Sequence, residues 1–438
     1  MSNLMAARAQ MGMSLAFHIV FAAIGVAMPV LMVIAEHRWQ KTGDVTYLDL
    51  AKRWARGTAV LFAVGAVSGT VLSFELGLLW PGFMRFAGPI VGLPFSLEGF
   101  AFFTEAIFLG VFLYGRDRIP PRAHLWAGII VALSGAASAV FVVMVNAWMN
   151  APVGFTLVDG HLTAIDPLRG MRSPAAFQQV LHMVLATYAA TGLGVAGVHA
   201  WMLRTHPTSR LHRAAMAIAL SVGAPAALLQ PLSGDLSARV VAEPQPAKLA
   251  AMEAHFTTMR GAPLHIGGWP DEARAETRWS LEIPRGLSLL AFHDPAAEVK
   301  GLRDIPRDEW PPVAPVHLAF QVMVGLGTAM ALVSLWAGLT WWGSRGGDAW
   351  TVRSPALLRA LAIVAPFGFI CIEAGWMVTE IGRQPWVVQG LLRTADAVTP
   401  MPGLVVPFTL FTLLYLLLGA IVVALITSQV RETREVRT

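Results

Sequence analysis

Nine apolar stretches, each near the length that crosses a bilayer, constrain this chain more than any other feature. They cover residues 12–35, 58–80, 93–114, 124–148, 178–203, 212–233, 313–342, 357–380 and 403–428. A helix needs about 20 such residues to span the hydrocarbon, and within lipid only helices and closed barrels satisfy their own backbone. Of the 438 residues, 55% are hydrophobic and 13% charged, against about 25% charged in soluble domains. The expectation is an all-α polytopic membrane protein with about nine transmembrane helices.

The first stretch is too long for a cleavable signal, carries His18, and lacks a basic n-region followed by a small-residue cleavage site. Lys and Arg gather in the connections after spans 1, 3, 5, 7 and 9. The positive-inside bias then puts the N-terminus outside and the C-terminus inside. The net charge of +5 follows from that bias and argues against a nucleic-acid partner. Cys371 is the sole cysteine, so neither a disulfide within the chain nor a C-x-x-C-H haem attachment is possible.

One connection is far longer than the rest. Residues 234–312 are polar, Pro-rich and mixed in charge, on the expected outer side. They divide the chain into 1–233 with spans 1–6, the 234–312 loop, and 313–438 with spans 7–9. A structureless connection of that length is uncommon unless functional. Within it, residues 248–260 read as a short amphipathic helix with Leu249, Met252 and Phe256 on one face.

Ionisable groups inside spans mark function. Glu380 closes span 8, and a carboxylate in a membrane helix costs at least ~2.5 kcal/mol by insertion scales. Given the orientation, His18, Glu98, His182, Met323 and Glu380 all fall in the outer half of the membrane. Imidazole and thioether are usual axial ligands of low-spin haem iron, and His182 and Met323 could approach one iron from opposite faces. His18 and Glu380 could each hold a further haem singly, leaving a position open for a small substrate such as O₂. Arg383 could bind a haem propionate or pair with Glu380. Each has a plainer role too: a histidine hydrogen-bonded in packing, a methionine filling core. His37, His124, His199, His206 and His212 lie near inner helix ends and read as interfacial; His161, His255, His265 and His293 fall in outer loops.

Glu98 and Glu105 are seven residues apart, two turns on one helix face and ~10.5 Å along the axis. With Asp117 at the inner end and Ser134, Ser138 and Asn146 on span 4, they make a polar file suited to protons. For the serines the plainer reading is helix–helix hydrogen bonding.

Four ordered motifs carry a family resemblance: Glu98-Gly99-Phe100-Ala101-Phe102-Phe103-Thr104-Glu105, Asn146-Ala147-Trp148-Met149, Lys248-Leu249-Ala250-Ala251-Met252-Glu253, and Glu380-Ile381-Gly382-Arg383-Gln384-Pro385-Trp386. The chain resembles subunit I of cytochrome bd-type quinol oxidases over its whole length. That resemblance implies three haems and an outer quinol-binding loop, in a multi-pass protein of the bacterial cytoplasmic membrane. His182 and Met323 would ligate haem b558. His18 and Glu380 would ligate haem b595 and haem d, in an order that differs among members. Lys248 and Glu253 would act at the quinol site, and Glu98 and Glu105 would carry protons from the cytoplasm.

The implied partners are ubiquinol or menaquinol, O₂, subunit II, a small single-helix subunit and lipid. Two departures stand out. Gln321 occupies a position where some members have an arginine near the haem. The loop is the short version, as in the cyanide-insensitive branch, where some enzymes carry a further haem b in place of haem d. Two rival readings are a haem electron-transfer subunit that does not reduce O₂, and an ion or proton transporter. Against the latter, the sequence has no inverted repeat and no pair of broken helices.

Overall fold

The computed structural model describes residues 1–344 and 354–435, with side chains described through 428. Nine of its helical segments are long and apolar enough to cross a membrane. The helices are α1 (Asn3–Thr42), α2 (Val45–Leu79), α3 (Pro81–Tyr114), α4 (Pro121–Asn150), α5 (Pro167–Met171), α6 (Ala176–Thr205), α7 (Arg210–Ala242), α8 (Pro246–Met252), α9 (Gly286–Phe292), α10 (Val313–Gly343), α11 (Pro355–Val364), α12 (Phe367–Ile381), α13 (Thr394–Ala397) and α14 (Val405–Glu435). The strands are β1 (Thr156–Val158), β2 (His161–Thr163), β3 (Met259–Arg260), β4 (Leu264–Asp271), β5 (Glu276–Ile283), β6 (Glu298–Val299), β7 (Trp386–Val388) and β8 (Leu392–Arg393).

Local chemistry sets the helix starts. Ser2, Asp44, Ser209 and Ser354 accept hydrogen bonds from backbone N–H groups in the first turn of α1, α2, α7 and α11. Pro81 and Pro121 occupy opening positions, where their missing N–H costs nothing. The helices outrun their apolar stretches. α1 has 40 residues, ~60 Å at the standard rise. α7 continues to Ala242, past the expected end of span 6 at 233. Span 8 is interrupted: α11 and α12 meet at Ala365 and Pro366, and the proline nitrogen has no proton for the ladder.

The all-α expectation holds for the bundle, and short strands outside it form four two-stranded antiparallel ladders among the described residues. They decorate one end of the bundle, where the backbone of residues 389 and 399 bonds to Met149 and Leu79 at the ends of α4 and α2. The amphipathic helix expected over 248–260 is shorter. α8 ends at Met252, Ala254 takes φ 49°, and the His255 N–H bonds to Ala250 O at 2.7 Å. Leu249, Met252 and Phe256 are still buried together.

At the opposite end, His124, expected at an inner helix end, is enclosed by protein. Only 1% exposed, it sits between Glu36 Oε1 at 3.1 Å and Phe112 O at 2.9 Å, with Arg116 on the same carboxylate at 2.8 Å. An acidic partner on α1 makes burial of the ring possible.

Glycines let the central helices touch. A Cβ on Gly192 of α6 would lie 2.5 Å from Gly223 Cα of α7, and one on Gly368 of α12 would lie 2.3 Å from Ala190 Cα. Close backbone approach of this kind is the usual means by which membrane helices pack. Gly192→Ala is therefore expected to destabilise the protein by about 1–3 kcal/mol, seen as earlier thermal unfolding in detergent. Gly12→Ala, with nothing within 4 Å of the added carbon, should leave the transition where it is.

Candidate functional site

One face of α4 collects the proposed acidic groups. Gly135, Ser138, Asn146 and Asn150 are spaced 3, 8 and 4 residues apart, which keeps them on one side of a helix. Glu105 is 6% exposed and lies over Gly135, where an added Cβ would sit 3.1 Å from its carboxylate. Ser138 donates to Glu98 Oε1 at 3.2 Å. Asn146 Nδ2 donates to Glu380 Oε1, and Arg383 donates to Glu380 Oε2 at 2.6 Å. α3 begins at Pro81, so Glu98 stands halfway along its helix rather than early in it. Of the expected file, Ser134 bonds back to its own helix at Ile130 O, and Asp117 is exposed in the turn after α3.

The histidines are held in a way that suits ligation. His18 Nδ1 is 3.0 Å from Ser68 Oγ, which itself donates to Val64 O and Gly65 O. His182 Nδ1 is 2.9 Å from Ser233 Oγ, which donates to Gln230 O. A hydroxyl whose proton is already given away accepts from the imidazole, so Nδ1 carries the proton and Nε2 the free pair. The amide of Gln230 stands 3.1 Å from His182 Nε2. Glycines leave clearance beside these groups: a Cβ on Gly69 would lie 2.9 Å from His18 Cε1, and one on Gly375 would lie 3.2 Å from Met323 Sδ. α6, with His182, and α10, with Met323, both pack on α7 and α12.

Arg383 is 2% exposed, and its Nε and Nη1 have no hydrogen-bond partner among the described residues. Burial pulls its pKa down, and Glu380 partly offsets that. A buried guanidinium with two unsatisfied nitrogens and one carboxylate has donors left for a second anion, which fits a haem propionate. The charge chemistry and the imidazole donors thus suit the expected haems.

The two loop residues are more enclosed than a substrate-contact role suggests. Lys248 is 4% exposed and donates to Asn150 Oδ1 at 2.7 Å and Gln245 Oε1 at 3.0 Å. Burial first, then repulsion from Arg383, push its pKa well below the usual lysine range, while Glu380 pulls it back up. Glu253 is 0% exposed with both carboxylate oxygens unpartnered, and burial raises its pKa to about 8. A cavity of about 240 Å³ opens nearby, lined by Leu249, Thr258 and Phe292 among others, and neither Lys248 nor Glu253 faces it.

Gln321, at the position where some relatives have an arginine, is engaged by β4. It accepts from Gly267 N–H at 3.0 Å and donates to His265 O at 2.9 Å, fixing β4 to α10. One turn earlier, His317 sits between Met252 O at 2.8 Å and Gly267 O at 3.1 Å. Also unforeseen is Glu75, 3% exposed on α2, which accepts from Gln10 and Ser14. His317, Gln230, Ser68 and Ser233 carry no sequence signal beyond being polar in apolar helices.

These features define a multi-span helical membrane protein with imidazole, thioether and carboxylate groups ordered in its interior. The sequence profile described as cytochrome bd terminal oxidase subunit I matches residues 6–434. A putative cytochrome bd menaquinol oxidase subunit I of Bacillus subtilis is 40% identical, covering 97% of this chain and 95% of its own. A cytochrome bd ubiquinol oxidase subunit 1 of the same organism is 30% identical, with 99% and 95% covered. The bd oxidase structure from Geobacillus thermodenitrificans superposes with a TM-score of 0.91 at 39% identity, over 98% of this chain and 99% of that one. The chain belongs to the cytochrome bd terminal oxidase subunit I family. It is accordingly a respiratory oxidoreductase subunit of the terminal quinol oxidase type, set in the bacterial cytoplasmic membrane. That membership sets aside the transporter and the electron-transfer subunit without O₂ reduction.

Glu253 gives a pH test with a definite sign. With a folded pKa of about 8 against about 4.3 unfolded, the native state holds the extra proton between those values. Stability from this group is complete at low pH and lost as pH rises through 8. Glu253→Gln should flatten the fall in melting temperature over that window; an unchanged slope would remove Glu253 as its source.

Proposed function

We propose that the chain oxidises ubiquinol or menaquinol at the connection between α7 and α10, on the outer side of the membrane, and reduces O₂ to water within the bundle. His182 and Met323 hold low-spin haem b558. His18 and Glu380 hold the two high-spin haems, b595 and either d or a further haem b. Bound there, the haems supply one-electron transfer and an open coordination site for O₂. The observation that carries this reading is the serine anchoring of both His18 and His182, which aims an unprotonated Nε2 away from each anchor.

The protein groups do the rest. Arg383 neutralises a propionate and orients Glu380. Glu253, fully buried, becomes a proton acceptor for quinol when substrate opens the loop, with Lys248 beside it. Glu105 and Glu98, disposed along α4, bring protons from the cytoplasmic side, while quinol protons leave outside. Charge then separates across the membrane without a pumping step. The division of labour follows the chain: residues 1–233 for the high-spin and proton groups, 234–312 for quinol, 313–438 for Met323 and Glu380. Apolar side chains exposed along α10 and α14, such as Leu332, Leu339, Leu413 and Leu417, suit lipid, subunit II and a small single-helix subunit.

A reduced-minus-oxidised optical spectrum tests the whole reading, since it requires haem b bands. A further band in the far red identifies haem d, and its absence the all-b form. Met323→Leu should abolish the low-spin signal while the reduced protein still binds CO; a normal low-spin band would strike Met323 from the ligands. Glu253→Ala should slow quinol oxidation with haem content intact, and parallel loss of haem would instead make Glu253 a structural group.

A further inference from the structure

Asn150, in the last turn of α4, joins two regions that chain order keeps far apart. Its Oδ1 accepts from Lys248 Nζ at 2.7 Å and from Gln245 Nε2 at 3.1 Å. Its Nδ2 donates to Asn146 Oδ1 at 2.9 Å. Asn146 Nδ2 in turn donates to Glu380 Oε1. The four polar side chains make one unbroken chain from α8 to the end of α12. Asn150 and Lys248 are 1% and 4% exposed, and Asn146 is 8% exposed, so water has little access to the first two links, while the Glu380 side chain at the end of the chain is 31% exposed.

The direction of the chain is forced. A lysine amine facing an amide oxygen donates, and a carboxylate already paired with arginine accepts. Each asparagine must therefore present its oxygen toward Lys248 and its NH₂ toward Glu380. Amide orientation is ordinarily a matter of assignment, but here flipping either residue would set donor against donor. Gly382 adds a steric link. A Cβ there would lie 2.3 Å from Val378 O and 3.1 Å from Lys248 Cγ, so the lysine stem runs close beneath the turn between Glu380 and Arg383.

We propose that Lys248 and Asn150 are positioning residues for Glu380, and that this polar chain couples the quinol loop to the carboxylate. The inference rests on Glu380 being a haem ligand. Each donor drawn toward Glu380 Oε1 withdraws electron density from the carboxylate and fixes its rotamer. Cutting the chain leaves a stronger donor to iron, which favours the ferric state and lowers the midpoint potential of that haem. Outer-shell partners of metal ligands carry effects of roughly 10–100-fold in affinity, so the change is measurable two links away. Lys248 thus connects the loop to the interior even though it does not face the neighbouring cavity.

The test is an optical redox titration of the intact oxidase carrying Asn150→Leu, Lys248→Met, the double substitution, or Glu380→Gln. The expected result is a downward shift in the high-spin haem that Glu380→Gln perturbs, with the low-spin haem unmoved as the internal control for folding. The double substitution should shift no further than Asn150→Leu alone, since one chain is cut twice. Asn150→Asp, which keeps an acceptor for Lys248 but cannot donate to Asn146, should reproduce the shift even if the leucine variant folds poorly. An unshifted high-spin potential in the Asn150 variants, or fully additive effects of Asn150→Leu and Lys248→Met, overturns the coupling. If Glu380→Gln itself perturbs neither high-spin haem, the ligand assignment fails and the coupling falls with it.

Discussion

The structure depends on how one membrane helix presents polar atoms to its neighbours. α4 offers small or amide residues along a single face, and three acidic groups approach it there: Glu105 over Gly135, Glu98 on Ser138, Glu380 on Asn146. An unpaired carboxylate in hydrocarbon is costly, and leaving a buried polar group unsatisfied costs about 1–3 kcal/mol. The carboxylates of α3 and α12 therefore constrain the rotation of both helices about α4. Packing elsewhere is permissive by comparison, carried by glycine contacts and apolar surface that slides readily.

Much of the fold was legible because the bilayer simplifies the code. Apolar length alone located nine spans, and the motif around Glu380 found the family. Helix ends were misjudged where a helix runs past its expected span, through polar residues in α7 to Ala242 and through a Gly- and Pro-rich stretch in α3 from Pro81. The break at Pro366 was hidden because the apolar run is continuous across it. Three of the four ladders escaped notice because two- and three-residue pairings have no periodicity to read, and the eight-residue β4 because Gly267, Gly268 and Pro270 break its alternation.

The site was legible as a set of residue types and not as a set of contacts. His18, His182, Met323, Glu98, Glu105 and Glu380 were identifiable as polar or soft groups in apolar helices. What orients them was invisible: Ser68 and Ser233 behind the imidazoles, and glycines 69 and 375 opposite the proposed ligands. Such residues are common in any membrane helix and acquire meaning only in three dimensions. Gln321 shows the converse. Read against relatives it suggested a change near a haem, yet its amide is engaged with the backbone of β4.

That engagement has a mechanical side. His317 and Gln321, one turn apart on α10, grip Met252 O, His265 O and both backbone polar groups of Gly267. Met323 follows two residues later on the same helix. The β4–β5 hairpin is thus less a cover than a handle: any force that lifts it is borne by the stretch of α10 holding the thioether, and the torque is felt a single helical turn from the sulfur.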